Sequence, residues 1–236
     1  MVAMLVVFTI ILLIALDLLI RWRGARRATP AAALAPTPAA HAMDLLLPSL
    51  QPERFGLPGG LFFHRGHTWA NLLFSGQVKV GVDDFLQRLL GHVDAVTLPP
   101  LGAEVKQGQP LATIRQGGRT ATLTAPVDGV VCAVNGELAK APGLLKRDPY
   151  TRGWLVALRP TNLAANLPRL TVGESALVWL KAELARLQEF LHMTLTLKRD
   201  ALVGVTAADG GLVADGLLEH LDDEAWAEFR SKFLNA

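Results

Sequence analysis

Residues 110–134 read PLATIRQGGRTATLTAPVDGVVCAV. Two runs that mix apolar residues with threonine, 111–116 and 119–124, flank the dipeptide Gly117–Gly118, a pair that favours a two-residue β-hairpin turn. Ala125, Pro126, Val127, Asp128 and Gly129 form a second turn, and a further apolar run follows over 127–134. Short β-prone runs closed by glycine, proline and aspartate are the pattern of a small β domain.

The same texture extends outward, with further strands predicted over 72–82, 93–98 and 154–158, so the region 61–160 reads as mainly β. Residues 83–90 depart from it, because Phe85, Leu86, Leu89 and Leu90 fall at helical spacing and predict a short inserted helix. Beyond the β region, Thr171 and Glu174 have capping-box spacing. Leu177, Leu180, Leu184, Leu187 and Leu191 then lie on one stripe of a longer helix. Residues 193–198 alternate like a strand, and Trp226, Phe229 and Phe233 recur on one helical face behind a possible cap at Asp222. Residues 161–236 thus read as an α/β appendage with two amphipathic helices. Their apolar stripes either pack on the β domain or dock a partner protein.

Residues 2–20 are apolar except for Thr9 and Asp17, and about 20 such residues let a helix cross a membrane. We therefore expect a single transmembrane helix over 1–24, followed over 25–60 by a linker rich in proline and alanine. A cleaved signal peptide is the competing reading, but Arg21, Arg23, Arg26 and Arg27 all follow the apolar run instead of preceding it. Arginines in that place put the N-terminus outside and the bulk of the chain in the cytoplasm. Asp17, Arg21, Trp22, Arg23, Arg26 and Arg27 then mark the membrane interface. Net charge is +2, but four arginines against one aspartate give residues 1–27 a charge of +3, leaving −1 for the rest. That balance offers no basic surface for nucleic acid. A lone cysteine, Cys132, excludes an internal disulfide, suits a reducing compartment, and reads within its apolar run as a small buried residue.

Several motifs recur together in a known order. His67 and Trp69 form His-x-Trp, and Val80, Gly81, Val82, Asp83, Asp84 and Phe85 lead into the short helix. Residues 98–110 read LPPLGAEVKQGQP, Ala125 to Gly129 read APVDG, and Val134 is followed by Asn135. Asp148, Pro149, Tyr150, Gly153 and Trp154 close the set. In this order the chain from Gly66 to Leu158 resembles the H-protein of the glycine-cleavage system. The resemblance implies a barrel-sandwich domain of the lipoyl type. It also implies a lysine at a hairpin tip, seven residues before the Ala-Pro pair and within Glu-Ser-Val/Thr-Lys, to which lipoate is joined as a swinging arm. Seven residues before Ala125 stands Gly118, with Gly117 before it and Arg119 after it. No lysine occurs from Gln107 to Ala139, and an arginine stays protonated and lacks the amine that acylation needs. We therefore expect no lipoate on this chain.

Six histidines include the near pair His64 and His67, yet no cysteine cluster or zinc-binding spacing accompanies them. No nucleophile elbow or phosphate-cradling loop is present, so catalysis and metal binding are not expected. The reading that follows is a non-catalytic, single-pass membrane subunit whose H-protein-like domain binds other protein subunits on the cytoplasmic face. Contacts are expected at the hairpin tip, the leucine stripe, the aromatic helix and the membrane span. A lipoyl carrier of the glycine-cleavage type is the alternative that the resemblance alone implies. A transport adaptor of the membrane-fusion kind is a further one, which requires the opposite topology and a helical hairpin splitting the lipoyl domain.

Overall fold

A computed structural model describes residues 50–197 and 215–234. The expected membrane span, its interface residues Asp17 to Arg27, and most of the linker lie outside them. Among the described residues no helix is long and apolar enough to cross a membrane.

Among the described residues ten strands form two antiparallel sheets. The wide sheet takes β1 (Phe62–Phe63), β2 (Thr68–Leu72), β3 (Val78–Val82), β5 (Glu104–Val105), β8 (Gly129–Val134), β9 (Val156–Pro160) and β10 (Thr171–Val172), in the order β10-β1-β2-β3-β9-β8-β5. The narrow sheet takes β4 (Ala95–Thr97), β6 (Pro110–Gln116) and β7 (Arg119–Thr124), in the order β4-β6-β7. Short helices α1 (Asp84–Leu89), α2 (Glu137–Lys140), α3 (Leu144–Arg147) and α4 (Leu163–Asn166) lie between strands. The long α5 (Glu174–Leu197) and the terminal α6 (Asp223–Phe229) follow them.

Beside a smaller cluster of Leu61, Phe63, Trp69 and Ala176, a main core runs through these elements. Val80, Val82, Ile114, Leu123 and Leu158 from the sheets share it with Leu180, Leu184, Leu187 and Leu191 of α5 and with Trp226 and Phe229 of α6. Two sheets of such short strands enclose little apolar volume by themselves, and the leucine stripe closes the open side. Leu50 and Phe55, read from sequence as linker, are buried in the same core.

The recurrent motif residues have packing reasons. A Cβ on Gly81 would stand 2.4 Å from the indole of Trp69, whose Nε1 donates to the Pro149 carbonyl at 3.2 Å. Gly153 is equally confined, with the carbonyls of Leu144 and Asp148 each 2.8 Å from where a Cβ would be. The Asn135 amide donates to the carbonyls of Arg152 and Trp154, both at 2.7 Å, which fixes the loop before β9. The Tyr150 hydroxyl accepts from Asp84 N at 2.9 Å and donates to the Gly56 carbonyl at 2.6 Å, so it binds residues 50–57 to the start of α1.

Four expectations are corrected. The run 72–82 is not one strand, because Leu73 N donates to Gln77 O and Gly76 takes φ +79, turning β2 back as β3. Thr171 does not cap α5. It sits in β10 opposite Phe63, and its hydroxyl donates to the Phe63 carbonyl, while the helix begins beyond Gly173 at φ +57. Residues 193–197 continue α5 instead of forming a strand, with the Thr194 hydroxyl satisfied one turn back by the Phe190 carbonyl. Cys132 is exposed, because β8 shifts register against β9 between Val131 and Ala133 and leaves it as the extra, outward residue.

His64 follows β1 within the core, and its Nδ1 accepts from Gly66 N at 3.0 Å. Burial first, then the charges of His67 and Arg65, push its pKa down to about 4. An unfolded chain takes up that proton near the ordinary value of about 6.5, so stability is lost as pH falls from about 6.5 towards 4. Urea titrations across that range should show a loss of up to about 3 kcal/mol from this group. His64→Asn keeps an acceptor for Gly66 N and should flatten that part of the slope. A slope identical in the two proteins would exclude His64 as its source.

Candidate functional site

From Ala112 opposite Leu123, strands β6 and β7 pair residue for residue to Gln116 opposite Arg119, which leaves Gly117 and Gly118 as the tip. Gly117 has φ +58, and Gly118 is not in the left-handed region, the combination found in a type II′ turn. Ile114, Ala121 and Leu123 point into the core, so the base of the hairpin is rigid where the tip projects. Gly118 has no atom within 4 Å of where a Cβ would stand.

The tip is held from two sides. From the loop before β4, Asp94 Oδ2 accepts from Gly117 N at 2.5 Å. From the C-terminal side, Asp223 Oδ1 accepts from Arg119 Nε at 3.2 Å and from Nη2 at 3.1 Å. Arg119 Nη1 donates to the Leu218 carbonyl at 3.2 Å, and its guanidinium lies 5.8 Å from the ring centre of Trp226. The segment supplying these groups is itself fixed. Gly216 N donates to the Arg88 carbonyl at 2.7 Å, and the Asp222 carboxylate caps α6 through Ala225 N at 2.8 Å. A cleft of about 370 Å³ opens beside the turn, lined by Gln116, Gly117, Gly118, Arg119, Glu219 and Asp223.

The remaining candidates from sequence go elsewhere. Leu180, Leu184, Leu187 and Leu191 are buried within the chain's own core, and Leu177, 39 % exposed, lies off that face. Trp226, Phe229 and Phe233 are buried too, with Phe229 and Phe233 stacked at 4.8 Å and Phe233 6.1 Å from Phe85. The expectation that these stripes offer contacts to a partner is therefore corrected, since each covers the other and the sheets. His67 Nδ1 lies 2.9 Å from Asp83 Oδ2, and its ring stacks on Phe85 at 4.3 Å. Among the described residues no three His, Cys, Asp or Glu side chains converge as metal ligands. Sequence reasoning missed the grip on Arg119. The cap at Asp222 marks the start of α6, but nothing in the sequence links the next residue, Asp223, to a residue 104 positions earlier.

Comparison with known proteins adds a common theme. A family profile described as Glycine cleavage H-protein matches residues 61–182. A protein of Pyrococcus abyssi named "Probable glycine cleavage system H protein" is 37 % identical over 123 residues, 52 % of this chain and 91 % of that one. The glycine cleavage system H protein of Opitutus terrae is 35 % identical over 108 residues, 46 % of this chain and 85 % of its own. The crystal structure of a glycine cleavage system H protein from Mycobacterium marinum aligns with 50 % of this chain and 94 % of its own, at 26 % identity and a TM-score of 0.45. The profile match ends at residue 182, so Leu218, Asp223 and Trp226, which hold the hairpin tip, lie outside it.

The two tip glycines should respond differently to substitution. Gly117→Ala forces a side chain into a positive φ and should cost about 1 kcal/mol, whereas Gly118→Ala should change stability by less than about 0.5 kcal/mol. Arg119→Ala should cost about 1–2 kcal/mol, mainly through the Leu218 carbonyl and Trp226, because the Asp223 carboxylate is 96 % exposed and its ion pair is screened. Urea denaturation midpoints compare all three. Equal costs at the two glycines would contradict the turn geometry.

Proposed function

The chain belongs to the glycine cleavage H-protein family, and on that premise we propose that it is a member without lipoate, acting as a non-catalytic interaction module. The observation that carries the reading is the absence of any lysine from Gln107 to Ala139, in a chain whose hairpin tip is Gly117–Gly118. Lipoate is attached through a lysine amine, and Arg119 offers none. Two features support the reading further. The residues on either side of Gly118 are held by the chain itself, Gly117 by Asp94 and Arg119 by Asp223 and the Leu218 carbonyl. The motif residues Gly81, Asn135 and Gly153 serve packing, so the scaffold persists without the cofactor.

The module is carried on a single-pass anchor formed by residues 1–24, with the N-terminus outside and the domain in the cytoplasm. Its partners are other protein subunits of a membrane complex. The names of its relatives favour a second reading, a lipoyl carrier in aminomethyl transfer, and the two differ in one measurable property.

The intact mass of the full chain, purified from cells that express a lipoate ligase, should equal that of the unmodified polypeptide. Gly118→Lys, whose side chain has open space, serves as the positive control for attachment. A lipoyl increment on the natural sequence would overturn the proposal and favour the carrier. A reporter fused after Ala236 should be active only in the cytoplasm, and a signal outside it would reverse the assigned orientation.

A further inference from the structure

Gln116, at the end of β6, is 6 % exposed, yet neither its side-chain nitrogen nor its side-chain oxygen finds a hydrogen-bond partner among the described residues. A buried polar group left unpaired is destabilising, because it has given up its bonds to water for nothing in return. A ligand carrying complementary groups removes that cost. The carboxamide and the Glu219 carboxylate both line the cleft beside the Gly117–Gly118 turn, and both lie close to Gly91. A Cβ on Gly91 would stand 2.1 Å from Glu219 Oε2 and 2.7 Å from Gln116 Nε2, so only glycine leaves both groups room to converge. The rim is acidic. Residues 215–224 hold Asp215, Glu219, Asp222, Asp223 and Glu224 with no lysine or arginine, and Asp94 lies on the other side of the turn, so that acids outnumber the nearby cations Arg88, paired with Asp215 at 3.6 Å, and Lys146, whose charge acts on Asp215 and Glu219. Arg119, the cation of the lining, is already engaged by Asp223 and the Leu218 carbonyl.

We propose that this cleft is a docking site for a basic peptide segment of a partner protein, with a lysine or arginine side chain set against Glu219 and the adjoining peptide group paired to the Gln116 carboxamide. A carboxamide presents one acceptor and its N–H donors side by side, which complements the N–H and C=O of a peptide backbone. The acidic rim selects a positively charged partner and steers its approach. The assignment rests on the reading of the chain as an interaction module and adds the chemistry of the partner's contact.

The test is fluorescence anisotropy of a fluorescein-labelled Gly-Arg-Gly-Arg-Gly peptide titrated with the full chain in detergent micelles. A Gly-Glu-Gly-Glu-Gly peptide is run beside it. Saturable binding is expected for the arginine peptide alone. Loss of a hydrogen bond to a charged or buried group should weaken it about 10-fold or more in Glu219→Gln and in Gln116→Leu. Glu219 is exposed, so its variant should fold normally, and Gln116→Leu enters the comparison once its near-UV circular dichroism matches the parent. Absence of saturable binding overturns the proposal. So does binding that either folded variant leaves unchanged, which would mark a diffuse attraction to acidic surface. The intact mass of the same sample separates the two readings: a lipoylated chain overturns the function, while the variant series judges the cleft.

Discussion

One buried carboxylate ties together the parts from which this fold is assembled. Asp83 Oδ1 caps α1 through Leu86 N at 2.9 Å, and its Oδ2 holds His67 Nδ1 at 2.9 Å. The backbone closes the same junction, with Asp83 N donating to the His67 carbonyl at 3.1 Å. His67 takes φ +59 there, and its imidazole packs between Phe85 of α1 and Trp179 of α5. The start of β2, the end of β3, the inserted helix and the long helix thus meet on one polar pair inside an apolar setting. An apolar residue at 83 would leave His67 Nδ1 buried and unpaired, and one at 67 would do the same to Asp83 Oδ2, a larger loss than the pair itself represents.

From that junction the apolar layers follow. α1 presents Phe85, Leu86 and Leu89 inward, α5 adds its leucines, and Phe190, Phe229 and Phe233 form an aromatic cluster between α5 and the C-terminal turn. Arg186 joins this closure at the surface. Its guanidinium donates to Glu183 and to the Lys232 carbonyl and lies 4.9 Å from the Phe233 ring centre. The C-terminal residues are held by both apolar contact and directed hydrogen bonds, and that is what brings Asp223 and Leu218 to the hairpin tip.

The hairpin was readable because Gly117–Gly118 interrupts two β-prone runs, and α1 because four apolar residues break the strand alternation. The turn between β2 and β3 was hidden by Leu72, Leu73 and Phe74, an apolar run that continues through the reversal, with Phe74 fully exposed at the bend. Thr171 misled for a different reason. Its spacing to Glu174 is that of a cap, but the edge of the wide sheet claims it first through Phe63. The amphipathic stripes were legible as stripes, whereas what covers them depends on contacts between residues far apart in the chain. The same limit explains why the cleft went unseen, since Gln116, Gly91 and Glu219 come from three segments far apart in the chain and share no spacing.

The pairing of β1 with β10 has a consequence for the birth of the molecule. Phe63 and Thr171 are neighbours in the sheet although 108 residues separate them in the chain. Contacts of such separation form slowly, since a long loop must close before they contribute. On a ribosome, the edge strand Phe62–Phe63 emerges early and stays without its outer neighbour until the start of α5 has left the exit tunnel. Throughout that interval its backbone donors and acceptors are a template for any other extended chain nearby. Synthesis of this protein therefore passes through an open-edged state whose duration is set by translation rate, and slow translation prolongs its exposure to aggregation.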